Sequence, residues 1–403
     1  MLARRTAVLF LLGLVTLGAA AGSLRGAESA PPTSHQPALP GAGPAVIAAS
    51  AGRAAEACFY VVDVGLGNAV FVVSPSGEVV LLDSGSGQVA DRMLAFMKQN
   101  GIAKIDYFVA SHHDEDHIGA IARIAERVSV ACFVDHGDSV MYGRDENWWK
   151  EHRRPWFRPG MGQGYDRMFD EYRAARAKAR HVVPKPGDRL PIAGLAVEVV
   201  SVGGKVITQP LKGGGSANPY CAGVQPRGVD DSEDAQSVGV VMSYGKFRFA
   251  DLGDLTWNIS LQLFCPNNQI GRVDAYLVTH HAHSMNKSSG DFYHGLSSCP
   301  PPEVFGLHPR VAILSLAYHG HVPANPDAMK LVNSVPGLDL WQTEYISGGE
   351  RHYNGPEAFI ANLNPDGEVF DKVPYIKLAA KADGSFKATN SRNLFTKQYP
   401  PHE

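Results

Sequence analysis

The chain has 403 residues, with 37 Lys and Arg against 40 Asp and Glu and a formal net charge of −3. That balance excludes a protein drawn as a whole toward nucleic acid or an anionic membrane by its own field. The length allows one large domain or two moderate ones with an ample core, and the high Gly and Pro content predicts many turns.

The first residues, "MLARRTAVLFLLGLVTLGAAAGS", have the layout of an export signal: Arg4 and Arg5, an apolar stretch from Ala7 to Leu17, and a small-residue cleavage site at Ala19-Ala20-Ala21. Residues 1–21 are therefore expected to be removed, leaving an exported, periplasmic or extracellular protein that is soluble and not inserted in a membrane. A membrane anchor is the competing reading, but the apolar run is shorter than the roughly 20 residues a span needs. Residues 22–57 are rich in Ala, Pro, Gly and Ser without periodicity, which reads as a flexible linker. Cys58, Cys132, Cys221, Cys265 and Cys299 lie far apart, so an odd thiol must remain and a thiolate metal site is not indicated.

Short strands are expected at "FYVVDVG" (59–65), "AVFVVSP" (69–75) and "EVVLLDSG" (78–85), followed by a helix over 89–100 that stops at Gly101. "KIDYFVAS" (104–111) reads as a buried strand, "IGAIARIAERV" (118–128) as a helix and "SVACFVDHG" (129–137) as a strand. Residues 138–181 break this alternation. From Arg144 to Arg180 there are ten Lys or Arg against six Asp or Glu, with Trp148, Trp149 and Trp156 interleaved. Such an insertion either stacks and neutralises a nucleic acid or is an irregular excursion whose tryptophans pack on the domain. The second half resumes with "LAVEVVSVG", a hairpin turning at Tyr244-Gly245-Lys246, a helix near 256–264, "VDAYLVTHH", "RVAILSLAY", a helix near 326–334 and "LDLWQTEYIS". Residues 371–403 read as a separate hairpin and tail about Asp383-Gly384. This alternation implies a layered α/β domain over 58–370, with helices outside the sheets.

Residues 111–120 read "SHHDEDHIGA", with three histidines and three carboxylates between His112 and His117. A strand ending at Ser111 delivers them into a loop at a sheet edge. There the alternate residues His112, Asp114 and Asp116 face one way, with His117 beside the last. Imidazoles and carboxylates at these offsets suit first-row divalent metals, and two such sets suit a pair. A solvated acidic loop would explain the carboxylates but not the histidines that bracket them. Gly119 is expected to allow close packing of the following helix.

The motif resembles the HxHxDH signature of the metallo-β-lactamase superfamily in an HxDxDH form, Asp114 replacing the second histidine. Together with "DVGLGNA" (63–69), "LLDSG" (81–85), "FADLGD" (249–254) and "VTHHAHS" (278–284), it is similar to the competence-protein (ComEC-type) hydrolase branch, here as a free-standing exported member. The resemblance implies an αββα four-layer sandwich binding two divalent ions, zinc or manganese, or magnesium. It assigns His112 and Asp114 to one ion and Asp116 and His117 to the other. Asp254 becomes the bridging carboxylate and His280 the last histidine, with His281 its alternative. The remaining ligand falls on Asp234 or Glu233, Asp234 being preferred. Asp63 and Asp83 would support the ligand loop, and His319 and His321 either line the pocket or are plain loop residues. Asn68 and Ala282 depart from the pattern, standing where an acidic residue and a glycine are expected.

The function implied is metal-dependent hydrolysis by a metal-bridged water that Asp116 orients. The oxygen-rich set favours a small-molecule or nucleic-acid phosphoester. β-Lactam or lactone opening, or non-catalytic metal binding on the same fold, are the alternatives.

Overall fold

The computed structural model describes residues 55–402 except 66, 153–156, 228–230, 283–297, 316–324 and 365–371. The export signal and nearly all of the linker fall outside the described residues, as do Trp156, His319 and His321.

β-Branched and aromatic runs pair first with their chain neighbours, as stiff side chains on a pleated surface favour. Ala57–Val62 pairs antiparallel with Val70–Val73, which pairs with Val79–Leu82. From there the first sheet is parallel, through Tyr107–Val109 and Cys132–Val134 to Arg180–Val182. On its other side Ala57–Val62 takes the strand Tyr375–Ala380, with Phe59 opposite Leu378, and two further strands, Phe386–Asn390 and Thr396–Tyr399, complete the sheet. The C-terminal hairpin is thus an integral third of the first sheet and not an appended tail.

The second sheet repeats the plan. Ala196–Val202, Gly239–Tyr244 and Phe247–Asp251 run antiparallel, and Ala275–Leu277, Val311–Leu314, Asp339–Glu344 and Ile360–Asn362 continue in parallel. Eight helices accompany the sheets among the described residues: α1 (Ala90–Gln99), α2 (Glu115–Ile118), α3 (Ile121–Ala125), α4 (Glu146–His152), α5 (Met161–Arg176), α6 (Trp257–Phe264), α7 (Pro301–Leu307) and α8 (Pro326–Asn333).

Three apolar clusters define the layers. Phe59, Val61, Val70 and Val72 of the first sheet meet Val197, Val240, Met242 and Phe249 of the second in a core between the sheets. The opposite face of the first sheet packs Phe71, Leu81 and Phe108 against Met93, Ile121, Phe169 and Tyr172 of α1, α3 and α5. The opposite face of the second packs Ala250, Tyr276 and Ala312 against Leu263, Val304 and Met329 of α6, α7 and α8. Alternation along each strand sends one set of side chains inward and the other under the helices. The result is the expected αββα sandwich.

Two local readings change. The helix expected over 118–128 starts inside the motif, at Glu115, and breaks after Ile118 before resuming as α3. Gly119 sits at that break against the backbone of Ser86-Gly87; an added Cβ would lie 2.5 Å from Gly87 N. Among the described residues of 138–181, Glu146–His152 and Met161–Arg176 form the helices α4 and α5, flanked by irregular stretches. Trp149, Tyr165, Phe169 and Tyr172 are buried, while Trp148 stacks on His152 at 4.3 Å. Their rings are used mainly in packing.

Candidate metal centre

The parallel strands of both sheets end at one edge, and the polar residues that follow them share that edge. Asp83 follows Val79–Leu82, the motif follows Tyr107–Val109, and Asp135 follows Cys132–Val134. From the second sheet come Asp254, after Phe247–Asp251, then His280 and His281, and Ser315 after Val311–Leu314. Parallel strands bring these ends together because their C-termini point the same way.

Ligating atoms converge there in three groups: His112, Asp114 and Asp234; His112, His117 and Asp254; and Asp116, His117 and His281. His112 Nε2 lies 3.4 Å from Asp234 Oδ1, and His117 Nε2 lies 3.3 Å from Asp254 Oδ2 and 3.6 Å from Asp116 Oδ2. His281 Nε2 is 3.7 Å from Asp116 Oδ2 and 3.6 Å from Asp254 Oδ2. These separations are long for hydrogen bonds, yet they match two donors each about 2.0–2.2 Å from one tetrahedral ion, which stand about 3.3–3.5 Å apart.

The three imidazoles are bonded on one side only. His117 Nδ1 pairs with Asp83 Oδ2 at 2.7 Å, and His281 Nδ1 with the Ser315 carbonyl at 3.0 Å. His112 Nδ1 bonds Ser111 Oγ at 3.0 Å, and that hydroxyl donates to Asp83 Oδ2 at 2.7 Å. Their Nε2 atoms are buried without a hydrogen-bond partner among the described residues, as is Asp254 Oδ1. A carboxylate or carbonyl on Nδ1 that sets the tautomer and aims Nε2 is the usual support of a metal-ligating histidine. Unpartnered buried nitrogens are costly unless something else occupies them, so the residues present fit divalent ions.

Electrostatics point the same way. Burial disfavours a charged His117 ring, but Asp254, Asp116 and Asp83 around it raise its pKa well above the ordinary range. His112, buried beside it, is driven well below. Burial would raise the Asp254 carboxyl, yet His117, His280 and His281 hold it well below the ordinary carboxylate range. The pocket calls for positive charge at its centre.

Of the two adjacent histidines, His281 joins Asp116 and His117, whereas His280 touches the set through Asp254, its Nε2 3.5 Å from Asp254 Oδ2. His280, His281 and Ala282 have φ values of 52°, 54° and 55°, three successive left-handed residues that an ordinary loop avoids. Ala282, at the expected glycine position, has the conformation that favours glycine. The turn is held by the His280 N–H on the Gly253 carbonyl and the Asn325 N–H on that of Ala282. It is also backed by Thr279, whose hydroxyl donates to the buried Glu303 at 2.7 Å.

Asp234 faces the centre, and Glu233 turns away from it to accept from the backbone N–H of His113 at 3.1 Å. Asp63 bonds Gly65 N–H at 3.0 Å and Asn362 Nδ2 at 2.8 Å, tying the loop that precedes Gly67 to the second sheet. A Cβ on Gly67 would lie 1.7 Å from the Asp116 carbonyl oxygen, so that glycine lets the loop lie on the ligand turn. Asn68 is buried, its amide without a hydrogen-bond partner among the described residues. Sequence reasoning missed Ser111, His113, Asp135, His136 and Glu303. A usable signal existed for Asp135 and His136, which end a parallel strand beside the motif.

Residues 62–223 match the family model described as the metallo-beta-lactamase superfamily. No curated protein matches the sequence. Among solved structures the chain is similar to the metallo-beta-lactamase fold protein YhfI from Bacillus subtilis, at 10% identity over 71% of this chain and 96% of that one, TM-score 0.41. It is similar to CmlA, a diiron beta-hydroxylase from Streptomyces venezuelae, at 13% identity over 70% of this chain and 49% of that one, TM-score 0.36, so it spans about half of that protein. The metallo-beta-lactamase SMB-1, in a complex with mercaptoacetic acid, is similar at 15% identity over 49% of this chain and 62% of that one, TM-score 0.31.

Proposed function

On this metallo-β-lactamase fold, with ligating side chains converging where both sheets end, we propose that the protein is a metal-dependent hydrolase with two divalent cations, zinc or manganese, or magnesium. The observation that carries the reading is the set of buried Nε2 atoms on His112, His117 and His281, each bonded behind and open in front.

His112, Asp114 and Asp234 would hold one ion, Asp116, His117 and His281 the other, with Asp254 between them. When bound, the ions would acidify a water and offset negative charge developing at the reacting centre. Asp116 is 22% exposed on its side chain, against 4–5% for Asp254 and Asp234, and its carboxylate can orient a water arriving from solvent and take its proton. Asp83 and Ser111 keep the Nε2 lone pairs of His117 and His112 aimed inward.

Asp114, Asp116, Asp234 and Asp254 carry four negative charges, which two dications neutralise. Oxygen-rich ligation suits hard cations, and these in turn suit phosphoester over β-lactam or lactone substrates. The finer likeness to the ComEC-type branch, carried by Asp114 in the motif together with "DVGLGNA", "LLDSG", "FADLGD" and "VTHHAHS", supports the same preference. A small phosphoester or phosphodiester is preferred to a long nucleic acid because Trp149, Tyr165, Phe169 and Tyr172 of the insertion are buried in packing. The protein stripped by a chelator should lose turnover of a generic chromogenic phosphodiester and regain it with added Mn²⁺ or Zn²⁺. Metal uptake without turnover of that substrate, or of a chromogenic β-lactam or lactone, would make it a metal-binding protein only.

We also propose export. The layout of residues 1–21 supports it, and so does the Cys221–Cys265 disulfide, which leaves Cys58, Cys132 and Cys299 free. No helix among the described residues is long and apolar enough to cross a membrane. N-terminal sequencing of protein from its host should begin near Gly22, and an intact Met1 would refute cleavage.

A further inference from the structure

Beside the centre lies a second buried cluster, made of His113, Asp135, His136 and Glu233. Glu233 Oε1 accepts from the backbone N–H of His113 at 3.1 Å and from His136 Nε2 at 2.6 Å. Its Oε2 accepts from Ser139 Oγ and from the Val140 N–H, both at 2.9 Å. All four donors come from the first sheet's loops, whereas Glu233 belongs to the segment leading into the second sheet.

The place of that bond in the chain gives it meaning. His113 stands between His112 and Asp114, and Glu233 immediately precedes Asp234. One hydrogen bond, from His113 N–H to Glu233, therefore joins the two short segments that carry all three side chains of the His112, Asp114 and Asp234 group. Asp234 is also fixed from its other side. Its carbonyl accepts from Ser237 Oγ at 2.7 Å, and that oxygen accepts from the Asp254 N–H at 3.3 Å.

The cluster could instead be a metal site, since His113, His136 and Glu233 offer three donors close together and both ring nitrogens of His113 lack hydrogen bonds. Its distances argue otherwise. His136 Nε2 and Glu233 Oε1 at 2.6 Å are in direct contact, closer than two ligands on one tetrahedral ion, which stand about 3.3–3.5 Å apart. Glu233 also has both oxygens filled by N–H and O–H donors. His113 lies between Glu233, 3.2 Å from Nδ1, and Asp135, 3.9 Å from Nε2, so it is matched by charge on either side.

We propose that Glu233 is a positioning residue that latches the Asp234 segment to the ligand motif, so that the affinity of one ion, the one held by His112, Asp114 and Asp234, depends on it. The proposal rests on the two-ion reading above. The test is a titration of the metal-free protein with zinc against a chromophoric chelator. The wild type should take up two equivalents. Glu233→Gln should weaken one equivalent by about 10–100-fold, the effect of losing an outer partner of a ligand, and leave the other nearly unchanged. Ser139→Ala removes a single donor to Oε2 and serves if Glu233→Gln does not fold; it should weaken the same equivalent severalfold. Wild-type affinity for both equivalents in the folded variants, or equal weakening of both, overturns the latch and leaves the centre standing. A third wild-type equivalent that Glu233→Gln abolishes overturns it by making the cluster a metal site. Uptake of fewer than two equivalents by the wild type brings down the two-ion reading and the latch with it.

Discussion

The metal centre and the latch are both buried clusters of histidine and carboxylate at one edge of the sandwich, and both include residues of the same motif. They differ in how their atoms are satisfied. In the centre, cross-cluster separations run from 3.3 to 3.7 Å, and the imidazoles are bonded on their outer nitrogens only. In the latch, His136 meets Glu233 at 2.6 Å, while Asp135 takes Tyr172 at 2.6 Å and both Arg176 and His181 at 2.8 Å. Residue type alone does not mark a metal site. Unpartnered nitrogens alone do not either, since both ring nitrogens of His113 also lack hydrogen bonds; the 2.6 Å contact of His136 with Glu233 separates the clusters, because an ion needs room that a hydrogen bond closes.

The largest expected effect falls on Asp254, the carboxylate nearest both histidine groups. Losing an outer partner of a ligand already costs about 10–100-fold, so Asp254→Asn, which weakens the carboxylate proposed to serve both ions, should lower turnover by more than about a hundredfold, with reduced zinc content. Asp251 is the comparator. It is buried, its Oδ1 accepts the Gly253 N–H at 3.0 Å, and burial together with the Asp83 charge pushes its carboxyl up to about 7. Asn imitates its neutral form and keeps that acceptor, so Asp251→Asn should keep both ions and most turnover. Equal losses in the two variants would erase the distinction between ligand and support.

A smaller effect separates the clusters by pH. Burial disfavours a charged His113, but Asp135 and Glu233 outweigh it and hold the ring's pKa up to about 9. A histidine raised from its ordinary value of about 6.5 contributes stability that is complete below that pH and is lost as pH rises toward 9. Metal-free protein should therefore lose up to a few kcal/mol between about pH 6.5 and 9. Asp135→Asn should start less stable and show a shallower decline. Denaturant unfolding of both proteins across that range checks it, and parallel curves would mean that His113 carries no such charge.

Much of the centre was legible because its ligands follow strands at short, chemically specific spacings. His112, Asp114, Asp116 and His117 lie within six residues, and Asp254 ends a recognisable hairpin. What was not legible depended on side-chain direction or on distant pairing. His280 and His281 are adjacent, and only the left-handed turn decides which of them meets Asp116. Asp234 and Glu233 are likewise adjacent and face opposite clusters. The latch joins residues 120 apart, from His113 to Glu233, and Tyr375–Ala380 closes on Ala57–Val62 across almost the whole domain. Local periodicity carries no trace of either. The four layers were readable because alternating strand and helix patterns leave few other ways to bury two-faced sheets.

The smallest expected effect asks how far the latch extends into the insertion. Tyr172 of α5 is fully buried beside the His113 ring and donates to Asp135 Oδ2 at 2.6 Å. Tyr172→Phe keeps the ring and its packing and deletes only the hydroxyl. Asp135 would still hold Arg176 on that oxygen, with His181 and the Gly137 N–H on the other. No acceptor is stranded, so the cost should be about 1.5–3 kcal/mol, the net worth of one hydrogen bond to a charged group. Asp135 does not contact Glu233 through any hydrogen bond seen here; the two act on His113 from opposite sides. Both zinc equivalents should therefore bind Tyr172→Phe as they bind the wild type, even though its unfolding midpoint falls. If one equivalent weakens as in Glu233→Gln, the path from α5 through Asp135 and His113 is mechanically continuous with Asp234. The insertion would then be part of what holds that ion, beyond packing against the sheet.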